Sequence, residues 1–121
     1  MKTTVVHCKE EEFDIYIGRA MPGLPASKWG NPYQMGRDGT RDEVCDKHEQ
    51  DLINNPELFS EITELRGSVL GCWCKSRRTP KNRCHGDTYV KYLLMIYPED
   101  LVEHLEEPES TADSATQLSL F

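Results

Sequence analysis

The chain has 121 residues, of which 37% are hydrophobic and 29% charged, and its formal net charge at pH 7 is −7. This length supports one modest hydrophobic core and excludes a chain of two domains. The sequence has neither an apolar run long enough to span a bilayer nor a secretory leader, so we expect a cytoplasmic protein without membrane contact.

Two β-rich runs open the chain. Residues 3–8 (TTVVHC) and 13–19 (FDIYIGR) are predicted as strands that a charged turn joins, either as a hairpin or as an adjacent pair. The next segment, residues 20–40, contains three prolines and four glycines and is predicted to be a long loop. Long ordered loops of this kind are often functional.

Two helix starts follow the loop. Thr40 and Glu43 form a capping-box pattern, which predicts a helix through about Asn54. The next two residues are a cap asparagine and a proline at the first helical position, and they predict a second helix that Gly67 ends. Both helices carry apolar residues at helical spacing, so each is expected to pack one face against a core.

The second half of the chain contains the best candidate for a buried strand, residues 68–74 (SVLGCWC). Residues 84–87 (CHGD) lead into an apolar-rich helix that must end near Pro98, and an amphipathic turn or two follows it. This order of elements predicts a small single α/β domain over residues 1–106, with a short sheet packed by about three helices.

The acidic excess is confined to the end of the chain. From Pro98 onward there are seven acidic residues and no Lys or Arg, so the body over residues 1–97 is neutral overall. Residues 107–116 are small, polar and acidic, and we predict that they form a flexible linker. The chain then ends on three large apolar residues within QLSLF, residues 117–121.

Four residues can together hold a metal ion: Cys72, Cys74, Cys84 and His85. The first two are separated by one residue on a predicted strand, so their side chains project to the same side. The chain returns to this region at the mouth of a helix, which predicts that three thiolates and an imidazole converge as in a tetrahedral zinc site. Since adjacent residues rarely both reach one metal, the fourth ligand is either His85 or a residue near His7.

The same stretch also permits chemistry without a metal. Cys84 lies at a predicted helix N-terminus, among basic residues and beside His85, and both influences lower a thiol pKa and favour a nucleophile. Asp87 then either orients the imidazole or caps the helix. The alternative for Cys72 and Cys74 is that they are buried small hydrophobic residues without a chemical role.

Polar side chains in and before the long loop predict a ligand site. Arg19 follows a strand end, and the segment SKWGNP presents Trp29 and Asn31 on a constrained backbone. A guanidinium, a stacking aromatic ring and an amide are the groups that recognise a phosphate and a nucleobase. Alternatively, Trp29 covers the core and Asn31 bonds its own turn.

Five basic residues within nine positions form the segment that we call the basic loop: Lys75, Arg77, Arg78, Lys81 and Arg83. Such a patch can bind a nucleotide or nucleic acid through phosphates, or it can be a solvated surface loop. One functional hypothesis is therefore a structural zinc module that binds nucleic acid through the basic loop. That hypothesis predicts an affinity that falls steeply with salt.

Six short sequence blocks lie within about residues 3–97, in this order: VVHCK, DIYIGR, SKWGNPY, GRDGTR, ELRGSVLGCWC and CHGD. Together they resemble an uncharacterised bacterial and phage family whose domain has no known function. The resemblance implies that the recurring polar positions face one site. Those positions are Arg19, Trp29, Asn31, Cys74, Cys84, His85 and Asp87.

The last five residues resemble a second known pattern. QLSLF is similar to the pentapeptide with which bacterial polymerases and repair proteins dock on the sliding clamp, and every position agrees. The resemblance implies that the clamp is a partner, bound through Gln117, Leu118, Leu120 and Phe121. The two final apolar residues would enter a hydrophobic pocket while the glutamine forms hydrogen bonds. Alternatively, the apolar end folds back onto the domain.

The leading hypothesis is a DNA-associated accessory protein of a bacterium or phage, tethered to the clamp by its tail. Tethering raises the local concentration near new DNA without DNA affinity in the body itself. If the body is an enzyme, we expect chemistry on a nucleotide, nucleobase or DNA end, with Cys84 or a zinc-activated water reacting and His85 as acid or base. The main alternative is a non-enzymatic effector that inhibits replication by occupying the clamp pocket.

Overall fold

The computed structural model describes residues 1–76, 78–79 and 81–105. Within these ranges, three short strands form one parallel sheet with β3 in the centre: β1 (Thr4–His7), β2 (Ile15–Tyr16) and β3 (Val69–Cys72). The helices are α1 (Arg41–Ile53), α2 (Pro56–Glu61), α3 (His85–Ile96) and α4 (Leu101–Leu105), with 3₁₀ turns at Ile62–Leu65 and Pro98–Asp100. The predicted small α/β domain is therefore confirmed. None of the described helices combines the length and the apolar character that crossing a membrane requires.

The predicted hairpin between the first two strands is wrong. β1 and β2 do not pair with each other, because both pair in parallel with β3, which lies between them. The link between them returns the chain across the sheet, and Phe13 in that link lies against Gly71 of β3. The backbone of β3 pairs along both of its edges, and its apolar sequence suits this central position in a parallel sheet.

The helix boundaries follow the caps that the sequence predicts. The Thr40 hydroxyl accepts a hydrogen bond from the Glu43 backbone N–H at 3.2 Å, and the Glu43 carboxylate accepts one from the Thr40 N–H at 2.8 Å. The Asn55 side chain likewise caps α2 by accepting from the Leu58 N–H at 3.2 Å. Gly67, with φ at +77°, directs the chain from the 3₁₀ turn into β3.

One face of the sheet packs on the helices, and the core lies between them. The buried apolar side chains of this core are Ile17, Trp29, Leu52, Ile62, Leu65, Leu70, Cys72, Cys84, Tyr89 and Leu93. α3 contacts both β1 and α1, so its N-terminus lies close to the end of the sheet. This placement brings the residues that follow β2 and β3 into the neighbourhood of the first turn of α3.

Three sequence-based predictions fall on residues outside the described ranges. They are the linker over residues 107–116, the terminal motif of Gln117, Leu118, Leu120 and Phe121, and the contribution of Arg77 to the basic loop. These remain predictions from the sequence.

Candidate functional site

A cavity of about 440 Å³ opens at the carboxyl ends of β2 and β3. In parallel α/β sheets this edge is where ligands bind, because loops and helix N-termini meet there. Its lining residues come from the end of β2, the long loop, α1, the end of β3 and the start of α3. They are Gly18, Arg19, Met21, Asn31, Tyr33, Gln34, Met35, Arg41, Val44, Cys45, Trp73, Cys74, Arg83 and His85.

Three cysteines converge beside this cavity. The Sγ atoms of Cys72, Cys74 and Cys84 all lie within 4.8 Å of one another, and those of Cys72 and Cys84 are 3.0 Å apart. A zinc ion held at about 2.3 Å by each thiolate sets neighbouring sulfurs about 3.8 Å apart, so the donor set fits one tetrahedral ion. In the described part of the chain, no fourth Cys, His, Asp or Glu belongs to this group.

The three thiols differ in their access to the cavity. Cys72 and Cys84 are fully buried, whereas Cys74 is half-buried and lines the cavity. Cys74 is therefore the sulfur at which this cluster meets the cavity. If zinc occupies the cluster, Cys74 would be the ligand that borders the cavity.

The electrostatics of the cluster also single out Cys74. Hydrogen bonds with the thiols of Cys72 and Cys84 lower the pKa of Cys74; burial opposes this effect, and the positive charge of Arg41 adds to it. The pKa of Cys84 is raised, first by its hydrogen bonds with the other two thiols and then by burial. The sequence pattern at the helix N-terminus favours Cys84 as the thiolate, whereas the hydrogen bonds among the three sulfurs and the lesser burial of Cys74 favour Cys74.

His85 is held in one orientation by the sheet. Its Nε2–H donates a hydrogen bond to the carbonyl oxygen of Ile17 at 2.7 Å, which leaves Nδ1 unprotonated, 3.7 Å from Sγ of Cys84. Burial lowers the pKa of His85, so the ring is neutral. His85 thus contacts the cysteine cluster through Cys84 but is not a member of the close group of ligand atoms. His7 is also outside that group, and its ring packs edge-on against Trp73.

Asp87 caps α3. Its carboxylate accepts a hydrogen bond from the backbone N–H of Cys84 at 3.1 Å and forms an ion pair with Lys75 at 3.0 Å. Lys75 also donates to the carbonyl oxygen of Asn82, whose side-chain amide donates to the carbonyl oxygen of Cys74 at 3.3 Å. Both ends of the basic loop are therefore bonded to the residues that carry the cluster.

The three ligand-binding residues predicted from the first half of the chain do not all lie at the cavity. Arg19 and Asn31 line the cavity. Asn31 is also structural, since its amide donates to the carbonyl oxygen of Val44 at 3.1 Å and its oxygen accepts from the Tyr33 N–H at 3.0 Å. Trp29 is 3% exposed and lies in the core, outside the cavity lining.

A buried hydrogen-bonded group holds Trp29 in the core. The Tyr89 hydroxyl donates to the carbonyl oxygen of Trp29 at 2.8 Å, and the two rings meet edge to face at 5.3 Å. His48 Nε2 bonds the same hydroxyl at 2.8 Å. His48 is thus a packing residue, as its place on the apolar face of α1 indicates.

Sequence reasoning missed four residues that line the cavity: Tyr33, Arg41, Cys45 and Trp73. Arg41 is the first residue of α1, and its guanidinium donates to the carbonyl oxygen of Arg83 at 3.4 Å. Trp73 donates from Nε1 to the Tyr16 hydroxyl at 2.7 Å, and that hydroxyl donates to the carbonyl oxygen of Arg19. The signal that could have identified Arg41 is its place in the GRDGTR block.

The fold and this site define a small α/β domain with a three-cysteine cluster at the wall of a cavity at the carboxyl edge of its sheet. The chain belongs to the family described as domain of unknown function DUF4326, whose sequence profile matches residues 3–94. It is similar to the uncharacterized protein R718 of Acanthamoeba polyphaga mimivirus, with 35% identity over 101 residues, or 75% of each chain. No solved structure matches the chain.

Proposed function

We propose that the domain is an enzyme that holds a zinc ion on Cys72, Cys74 and Cys84 and acts on a nucleotide, a nucleobase or a DNA end in the adjoining cavity. The observation that carries this proposal is the double position of Cys74, which belongs to the cysteine cluster and also lines the cavity. A purely structural zinc site is closed by four protein ligands, whereas a catalytic one keeps a position open. Three clustered thiols beside a cavity match the second arrangement.

Bound zinc would supply Lewis-acid chemistry at that open position. The protein's own groups would set its surroundings. Two of the three sulfurs are fully buried, which excludes bulk water from the inner side of the cluster. Arg41 lies close enough to lower the pKa of Cys74, and its positive charge offsets the net negative charge of three thiolates on a divalent ion. His85 is buried and fixed by its hydrogen bond to the Ile17 carbonyl oxygen, and it packs beside Cys84 on the core side of the cluster.

Thiol chemistry is the alternative within the same site. If no metal is bound, the reacting group is Cys74 rather than Cys84, because Cys74 reaches the cavity and has the lowered pKa. Cys84 is fully buried and acts as the N-cap of α3, accepting a hydrogen bond from the Gly86 N–H at 3.3 Å. Alkylation kinetics distinguish the two sulfurs, since only Cys74 is expected to react quickly in the folded protein.

The test of the metal centre is the native mass of the full-length protein, purified under reducing conditions and compared with its denatured mass. We expect an excess that corresponds to one zinc ion. Cys72→Ser and Cys84→Ser should lose it, whereas Cys8→Ser should keep it, because Cys8 is a cysteine outside the cluster. If the wild-type protein carries no metal but Cys74 still reacts, the proposed chemistry is that of a thiol rather than that of zinc. A protein with neither property would overturn the proposal.

The second part of the proposal concerns the tail. We propose that QLSLF tethers the domain to the bacterial sliding clamp, with Leu120 and Phe121 in the clamp's hydrophobic pocket. The support is the agreement of all five residues with the clamp-binding pattern and the small, polar and acidic composition of residues 107–116 before them. A tethered enzyme would act on substrates at sites of DNA synthesis, so the body itself needs no general affinity for DNA.

The tether is tested by binding of the full-length protein to a purified bacterial clamp. Phe121→Ala should abolish binding, and Cys74→Ser should leave it unchanged. These two variants also separate an enzyme from a non-enzymatic effector that only occupies the clamp pocket. The biological activity of an effector survives Cys74→Ser and is lost in Phe121→Ala, whereas an enzyme loses activity in Cys74→Ser even when clamp binding is intact.

A further inference from the structure

The cavity is positively charged in a chain that is acidic overall. Three arginines line it, Arg19, Arg41 and Arg83, and among the residues that the structure describes no Asp or Glu belongs to the lining. The whole chain, by contrast, has 21 acidic residues and 14 basic ones. A cationic cavity on such a chain favours an anionic ligand, because the acidic side chains that neutralise arginine elsewhere are excluded from its wall.

The three arginines are not equivalent. Arg83 forms ion pairs with Asp42 at 3.4 Å and Asp46 at 2.8 Å, both on the exposed side of α1. Among the described residues, Arg19 and Arg41 form no ion pair with a carboxylate. Their guanidinium groups therefore remain able to bind a ligand anion, and a guanidinium binds a phosphate through two parallel hydrogen bonds.

Arg19 is held by its backbone, and Arg41 by its backbone and its guanidinium group. The Arg19 carbonyl oxygen accepts from the Tyr16 hydroxyl, which in turn accepts from Trp73 Nε1. Arg41 follows the Thr40 cap as the first residue of α1 and donates to the carbonyl oxygen of Arg83. The contact of the Arg41 guanidinium reduces the entropy that this side chain loses when it binds an anion.

The rest of the wall suits a compact, partly planar ligand. Aromatic rings of Tyr33 and Trp73 and the side chains of Met21 and Met35 line the cavity beside the arginines. A volume of about 440 Å³ lies within the roughly 300–1,000 Å³ range of small-molecule sites. It accommodates one nucleotide unit rather than a length of nucleic acid.

We infer that Arg19 and Arg41 form a phosphate-binding subsite, and that the ligand of the cavity is a nucleoside monophosphate. This inference rests on the proposed function in one respect, since it names the substrate class of the same site. The phosphate would lie between the two guanidinium groups, and the nucleoside would extend along the aromatic wall toward Cys74. A free nucleotide and the terminal nucleotide of a DNA strand share this chemistry.

The test is isothermal titration calorimetry of the full-length protein with the deoxynucleoside monophosphates, the matching nucleosides, inorganic phosphate and a short single strand with a terminal phosphate. At least one monophosphate should bind about tenfold or more tightly than its nucleoside. Arg19→Gln and Arg41→Gln should each weaken that binding by a similar factor. Arg37→Gln is the matched control, because Arg37 is an exposed arginine of the long loop that pairs with Asp38 outside the cavity lining.

Each outcome decides the inference. Binding of the phosphorylated strand with no binding of free monophosphates keeps the subsite and assigns it to a DNA end. Equal affinity for nucleosides and monophosphates, no change in both arginine variants, or no binding by any phosphorylated probe would overturn the inference. The proposed function has a separate readout in the zinc content of the wild-type protein, which depends on Cys72, Cys74 and Cys84 and not on the binding of a nucleotide.

Discussion

The ring of Phe13 lies across Gly71, where the link between β1 and β2 passes over the central strand. A Cβ on Gly71 would lie 2.6 Å from Cγ of Phe13, far inside van der Waals contact. The link must bring the chain back across the sheet in a few residues, and this close approach makes the short path possible. The parallel arrangement of three strands thus depends on one residue without a side chain.

Gly71→Ala is therefore expected to destabilise the domain by about 1–3 kcal/mol, since the added methyl group displaces Phe13 from the sheet. Urea denaturation of the single variant measures the loss. The same substitution in a Phe13→Ala background should be markedly less costly, because the clashing ring is absent. Equal losses in the two backgrounds would show that the ring does not set the tolerance at this position.

Loss of the capping box of α1 is expected to reduce the stability of the domain by a smaller amount. Thr40→Ala removes the acceptor for the Glu43 N–H and should reduce the free energy of unfolding by about 1 kcal/mol. Thr40→Ser keeps a hydroxyl at the same position and serves as the control. The prediction fails if both variants lose the same stability in urea denaturation.

The lowered pKa of His48 predicts that the domain loses stability in acid. Burial, and then the neighbouring His85, lowers the pKa of His48 to about 4, whereas an unfolded histidine titrates at about 6.5. As the pH falls, the unfolded chain binds the proton first. The stability from neutral His48 is therefore complete above pH 6.5 and decreases progressively toward pH 4. From pH 7 to pH 5 this amounts to about 2 kcal/mol.

Urea denaturation at pH 7 and pH 5 checks the prediction for His48. His48→Gln is the informative variant, because an amide can still bond the Tyr89 hydroxyl but does not titrate. It should reduce the difference between the two pH values by roughly 2 kcal/mol. If the variant shows the same difference as the wild type, the acid sensitivity arises from other groups, of which the buried His85 is the nearest.

Metal removal is expected to lower the thermal stability. A ligand that binds only the folded state stabilises it by about 4 kcal/mol at a thousandfold excess over its dissociation constant, which corresponds to roughly 10 °C or more in Tm for a domain of this size. Circular dichroism melting with and without a chelator, under reducing conditions, measures the shift. Cys84→Ser should show no chelator-dependent shift. A wild-type Tm that does not change when the chelator is added would contradict zinc binding.

The parts of the fold that could be predicted are those fixed by neighbours in sequence. Thr40 and Asn55 cap helices because each bonds a backbone N–H three residues away, and that relationship is visible in the sequence. The strand order could not be predicted in the same way. Nothing in β1 or β2 says that their common partner is β3, because pairing across a sheet depends on residues far apart in the chain.

The candidate site also has features that the sequence predicts and features that depend on packing between distant residues. The predicted approach of Cys72 and Cys74 is confirmed, but not by strand alternation, because β3 ends at Cys72 and Cys74 lies in the bend that follows it. The three-cysteine cluster is completed by Cys84, the N-cap of α3. The sequence could not decide which thiol reaches solvent, since that depends on the packing above the cluster. A tryptophan in a Gly/Pro-rich loop also has the same pattern whether it stacks on a ligand or fills the core, and Trp29 fills the core.

The central place of β3 has a consequence for how the protein is made. A ribosome releases β1 and β2 long before β3, and during that interval the two strands have no partner with which to pair. The helices α1 and α2 emerge in between, but the face on which they will pack does not yet exist. Only when β3 has left the exit tunnel can the sheet form, and the cavity is complete only after the segment through His85 has followed. Interrupted translation before that point would release chains with exposed strand edges, which are candidates for chaperone capture rather than partially active protein.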